Sequence, residues 1–246
     1  MATAPSPALT FKKKKKKPSP ALLVVLSLLL HNFPSSLSAV SPTAQPLPAD
    51  EVQHSPAPVL PIPILDTEGK PVKAGGSYYI IPAAANNTTT HAGGVGTASQ
   101  SAASTCPLSV IQDRHADSNG SRLSFLPAAA KLGYILRTST DLNIQFAATR
   151  CEEGGVWKVE EYDDDDVERW FVGTGGVEGK VEDWFRIVKY GVGGGSNYKL
   201  VHCPGVCKSC KVRCNDVGVF VDENGVRRLA LTEDLPFVVR FMRVDN

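Results

Sequence analysis

The chain has 246 residues and a formal charge of +1, from 26 Lys and Arg against 25 Asp and Glu. That near-balance hides segregation. Six lysines, Lys12–Lys17, stand in a first stretch with no acid, so residues 39–246 hold 20 basic against 25 acidic residues, about −5. A mildly acidic body excludes a nucleic-acid binder, which needs a basic face.

Lys12–Lys17 precede the apolar run Ala21–Leu30, and small residues follow at Ser35, Ser36, Ser38 and Ala39. A basic segment, a ten-residue apolar segment and small residues in that order are the layout of a secretory signal peptide. Residues 1–38 are therefore expected to be cut away after Ser38 or Ala39. A bilayer span takes about 20 apolar residues, so the run is too short to stay as an anchor, and the mature form is expected to be membrane-free. Of the 18 prolines, 12 lie at or before Pro63, whereas every glycine lies at or after Gly69. Residues 39–63 thus read as a Pro-rich, disordered leader that cannot hold a helix or a central strand. Residues 64–246 form the body, long enough for one sizeable core.

Within the body, short β-branched and aromatic runs alternate with turn signals. In chain order they are Ser77–Ile81, Leu108–Gln112, Leu123–Leu126, Tyr134–Arg137, Asn143–Ala147, Trp157–Tyr162, Trp170–Gly173, Trp184–Tyr190, Lys199–Cys203, Val217–Asp222, Leu229–Leu231 and Val238–Val244. Asn224-Gly225 between two of them marks a hairpin. No stretch keeps a helical apolar period over three turns, which removes alternating strand–helix architectures. An all-β body, sandwich or closed barrel, is the expectation. Gly93-Gly94-Val95-Gly96 and Gly191–Gly195 read as flexible turns, with no Lys-Ser/Thr to make a phosphate loop. Trp157, Trp170 and Trp184 read as core, and the acidic tract Asp163–Asp166 as a solvated hairpin tip.

All six cysteines, Cys106, Cys151, Cys203, Cys207, Cys210 and Cys214, follow the expected cleavage site. An even count in an exported chain suggests three disulfides, with 15 pairings open; the rival is a four-thiolate zinc site in the last four. Export disfavours zinc, so no metal or other cofactor is expected. Asn86, Asn87 and Asn119 head glycosylation sequons. No nucleophile pattern accompanies His91, His115 or His202, and neighbouring carboxylates such as Glu160 and Glu161 alternate sides on a strand, so the chain is not expected to be an enzyme.

The segment Ile64, Asp66, Gly69, Val72 followed by Tyr78-Tyr79-Ile80 resembles the N-terminal signature of the plant Kunitz-type protease inhibitors, the soybean trypsin inhibitor family. Cys106–Gln112, Ser139–Ile144, Tyr198–Cys207, Cys214–Val219 and Arg227–Leu231 are similar to its miraculin-like branch. The resemblance runs from about residue 64 to the C-terminus. It implies a β-trefoil, a six-stranded barrel capped by three hairpins, with bridges Cys106–Cys151, Cys203–Cys214 and Cys207–Cys210. It also implies a monomer that inhibits serine proteases by presenting a rigid loop as a substrate.

In that family the loop lies between the first two cysteines. Here the resemblance places it at Pro127–Tyr134, with Lys131 entering the protease pocket and Leu132 across the scissile bond. A long cation suits an acid-floored, trypsin-like pocket; a shift of one residue would put Leu132 there and favour a chymotrypsin-like target. Strong inhibitors of the family brace the loop with an Asn amide, and Ala74 stands at that position. The alternatives are a non-inhibitory storage, defence or carbohydrate-binding trefoil, or an inhibitor of cysteine proteases or amylase.

Overall fold

A computed structural model describes residues 61–83, 92–100, 105–129, 133–164, 167–191, 195–207 and 209–244. Among them are twelve strands in one continuous antiparallel network. They are β1 Tyr78–Pro82, β2 Val95–Ser99, β3 Leu108–Gln112, β4 Leu123–Pro127, β5 Asp141–Phe146 and β6 Trp157–Asp164. Then follow β7 Val167–Thr174, β8 Phe185–Lys189, β9 Tyr198–His202, β10 Asn215–Val221, β11 Arg227–Thr232 and β12 Val238–Arg243. The only helix among the described residues is a single 3-10 turn, Val181–Asp183.

The pairings divide into two sets. Strands β1, β4, β5, β8, β9 and β12 close a ring, because β12 pairs with both β1 and β9. The other six form three hairpins, β2–β3, β6–β7 and β10–β11. One strand of each hairpin, β3, β7 and β11, meets the other two in a triangle. A six-stranded barrel under a three-hairpin cap is the β-trefoil, and ring closure leaves the barrel without a free sheet edge.

Alternate residues of the barrel strands point inward. Tyr78, Phe125, Phe241 and Tyr198 form one aromatic chain, with ring centroids 5.3–5.9 Å apart; Phe146, Trp157 and Phe185 form a second, at 5.7 and 5.9 Å. Each fully buried aromatic contributes about 2–3 kcal/mol by area alone. Two buried hydroxyls face the N-terminal segment. Tyr198 Oη accepts from the Leu65 amide at 2.8 Å, and Tyr78 Oη from the Lys73 amide at 2.9 Å.

Backbone pairing with the body already includes Pro63, which bridges Arg137, and Ile62, which exchanges hydrogen bonds with Thr138. The structure corrects the sequence reading in three places. Tyr134–Arg137 forms isolated bridges rather than a ladder. The run Gly93–Gly96 is no flexible turn: it leads into β2, a strand whose Gly, Ala and Ser carry little β-propensity. A Cβ on Gly94 would overlap the Asn119 carbonyl and one on Gly120 would overlap that of Val95, so the glycines serve close backbone packing. Trp157 and Trp184 are buried as expected, but Trp170 is only half-buried and lines a cavity.

The three disulfides pair Cys106 with Cys151, Cys203 with Cys214 and Cys207 with Cys210. No cysteine is free, which leaves no thiolate for zinc. By loop closure the 45-residue link of Cys106–Cys151 is worth about 4 kcal/mol and the short Cys207–Cys210 link about 2 kcal/mol. Cys210 is exposed, whereas Cys151 is buried. Under a graded dithiol, alkylation and mass spectrometry should find Cys207 and Cys210 modified first, with the fold retained; prior labelling of Cys106 and Cys151 would contradict this order.

Candidate functional site

The connection from β4 to β5 leaves the barrel at Pro127 and returns at Asp141. Its tip, with Lys131 and Leu132, lies outside the described residues; its two stems do not. On the entry side the Ala128 amide donates to the Asp141 carbonyl at 3.0 Å. Asp141 is itself held by Arg186, whose Nε donates at 2.8 Å, and by the Gly205 amide at 3.1 Å.

The exit stem runs antiparallel to the N-terminal segment and is stitched to it. The Gly133 amide donates to the Ala74 carbonyl at 2.9 Å, and the Ala74 amide returns a bond to Tyr134 at 2.8 Å. Leu136 donates to Val72, Ile64 to Leu136, and Thr138 to Ile62, each at 2.9 Å. The Gly75 amide donates to Phe125 of β4 at 3.0 Å, so residues 62–75 bind the exit stem and the strand from which the entry stem leaves. Gly133 sits at φ 80°, in the left-handed region where glycine carries no steric cost. Leu136 and Thr138 point inward, whereas Tyr134 is 52% exposed.

The brace at Ala74 is therefore a pair of backbone bonds, while its side chain is packed into the core at 4% exposure. Sequence reasoning found the missing side-chain amide but not the backbone strap. Backbone bonds are blind to side-chain identity, so only the glycine at 133 hinted at them.

The other candidates scatter. Asn119 is exposed beside Gly120 in the connection before β4, outside the β4–β5 loop; Asn86, Asn87 and His91 lie outside the described residues. His115 is exposed and pairs with Asp113 at 3.0 Å. β6 and β7 pair out to Asp164↔Val167; of the acidic tract, Asp165 and Asp166 lie outside the described residues.

His202 is buried, with Nε2 2.9 Å from the Glu182 carbonyl and Nδ1 3.1 Å from that of Arg213. A neutral ring has one N–H, so only one carbonyl can be satisfied; an imidazolium would satisfy both. Burial outweighs the two carbonyls and holds the ring's pKa below its ordinary value, with ionised Asp183 pulling up and Arg213 pushing down. Asp183, itself buried, has its carboxyl raised by burial, while the Val177 amide that it accepts works against this. The signs oppose. His202 contributes stability above about pH 6.5 that is lost as pH falls through the depressed value, whereas Asp183 contributes stability in acid that is lost as pH rises through the raised one. Melting temperature should therefore fall less between pH 7 and 5 in His202→Gln than in the parent; parallel slopes would clear His202 of this role.

A family model described as trypsin and protease inhibitor matches residues 64–243. Miraculin from Synsepalum dulcificum is 39% identical over 191 residues, covering 74% of this chain and 83% of that protein. Kunitz trypsin inhibitor 5 from Arabidopsis thaliana is 39% identical over 186 residues, covering 74% and 85%. The solved structure of a Kunitz-type cysteine protease inhibitor from potato superposes with a TM-score of 0.64 at 30% identity, covering 76% of this chain and all of that one.

Proposed function

The chain belongs to the plant Kunitz-type protease inhibitor family, and on that premise we propose that it blocks a serine endopeptidase with its β4–β5 loop. Lys131 is the residue that enters the specificity pocket, and Leu132 follows across the scissile bond. The supporting observation is the hydrogen-bonded strap of residues 62–75 along the loop's exit stem, with Ala128 tied to Asp141 on the entry side.

Such a frame leaves only a few residues between fixed points. A loop held near its bound shape loses little conformational entropy on docking, and this preorganisation is what turns a modest contact area into tight binding. An interface of about 1,600 Å² is ordinary for a protease and its inhibitor. After cleavage between Lys131 and Leu132 the strap still holds the exit end, and β4 with the Ala128–Asp141 bond holds the entry end, so religation competes with release. The chain acts by binding, as a monomer and without a cofactor. Its N-terminal signal sends it to the extracellular space or the vacuole, a route that suits three disulfides.

The test is titration of the mature protein against trypsin, chymotrypsin, subtilisin and papain. Sub-micromolar, stoichiometric inhibition of trypsin is expected, with papain untouched. The cysteine protease inhibitor from potato favours a second reading, which papain inhibition with active trypsin would establish. Silence against all four enzymes would reject both.

A further inference from the structure

We propose that the cavity beside Trp170 is a binding site for a small aromatic carboxylate, independent of the protease-binding loop. The cavity measures about 680 Å³, within the range that holds drug-sized ligands. Val159 of β6 and Trp170 of β7 form one wall, and Val181 and Glu182 of the 3-10 turn another. The cystine-stapled connection from β9 to β10 closes the third side with Cys210, Lys211, Val212 and Arg213. None of these residues belongs to the β4–β5 connection.

The lining asks for two chemistries in one molecule. Three valines and an indole are apolar and favour a flat hydrocarbon body. The Trp170 indole N–H is buried and finds no acceptor among the described residues. Trp157 and Trp184 share that condition, but both are core side chains and neither lines the cavity. An unmet buried donor is costly, and a ligand oxygen would relieve it. Charge points the same way: among the described lining residues Lys211 and Arg213 outnumber Glu182, and the Arg213 guanidinium lies 4.4 Å above the Trp170 ring. A carboxylate supplies the acceptor and the opposite charge together. A bare inorganic anion would forfeit hydration against the valines and gain no apolar contact.

The walls are already tied together. His202 lies between them, its ring nitrogens facing the carbonyls of Glu182 and Arg213. A ligand would therefore meet a largely formed site.

Calorimetry with 2-naphthoate and its neutral analogue 2-naphthamide tests the assignment on the intact mature protein. Naphthoate is expected to bind with sub-millimolar affinity and to quench tryptophan emission. Naphthamide should bind roughly fivefold more weakly, the scale of one partly exposed ion pair. Lys211→Gln, a surface change, should remove that difference by weakening naphthoate alone. Val212→Trp should abolish binding of both, with its melting temperature confirming the fold, while Lys131→Ala should leave both affinities intact. Equal affinity for the two probes, an unchanged preference in Lys211→Gln, or absence of binding by the parent protein would overturn the proposal.

Discussion

Lys131→Ala is expected to weaken trypsin inhibition by about three orders of magnitude. The side chain that fills a protease pocket is a hot spot, and truncating one costs about 4 kcal/mol or more, with 1.4 kcal/mol for each factor of ten. The loss should fall mainly on the dissociation rate, because mutants of one interface differ less in association. Folding should be untouched, since the strap that holds the loop involves Ala74, Gly133 and Tyr134 rather than residue 131. Lys131→Arg, which keeps the cation, should retain most of the inhibition. Lys131→Leu should move the preference toward chymotrypsin. Undiminished trypsin inhibition by the alanine variant would relocate the contact to another loop.

Asp66→Ala should be the most damaging of these changes to stability. Asp66 has no solvent exposure and all its acceptor capacity is used locally. Oδ1 accepts from the amides of Glu68 at 3.0 Å and Lys70 at 2.8 Å; Oδ2 accepts from Arg243 Nη2 at 2.9 Å and Nε at 3.1 Å. Arg243 Nη2 also donates to the Pro71 carbonyl at 3.0 Å, so one carboxylate closes the turn at 66–70 and ties it to β12. Removing it strands two amides and a half-buried guanidinium, at a cost of about 3 kcal/mol. For a body of this size that lowers the melting temperature by about 6–12 °C. Arg243→Gln should be nearly as harmful, because it leaves the buried carboxylate short of its counter-charge. The two changes together should cost less than their sum, the mark of direct coupling. A loss below about 2 °C in Asp66→Ala would show that water replaces these bonds freely. The β4–β5 loop shares this foundation, because the same N-terminal segment is the strap behind its exit stem, so the proposed inhibition should weaken at temperatures where the variant begins to melt.

The elements with strong local character were legible in the sequence. Leu108–Gln112, Trp157–Tyr162 and Val217–Asp222 are β-branched or aromatic runs, and each falls within or against an observed strand. Asn224-Gly225 does turn the β10–β11 hairpin, with Gly225 at φ 75° and the Asp222 carboxylate accepting from the Asn224 and Val226 amides at 2.9 Å. β2 was not legible, because its pairing with β3 and the close packing of Gly94 on residues 118–120 stabilise it rather than its own residues. Trp170 was misplaced for a related reason: a tryptophan on a strand reads alike whether it faces the barrel or a hairpin's outer side.

What the chain determined by itself is therefore local and covalent. The alternation of apolar residues made β-strands, the even cysteine count allowed three bridges, and the motifs from Ile64 onward carried the family and with it the trefoil. Ring closure through β12, the strap from Ile62 to Gly75 along the loop, and the cavity between Trp170 and the cystine loop were decided only in three dimensions. Their partners lie tens to more than a hundred residues apart, and backbone hydrogen bonds leave no trace in side-chain identity.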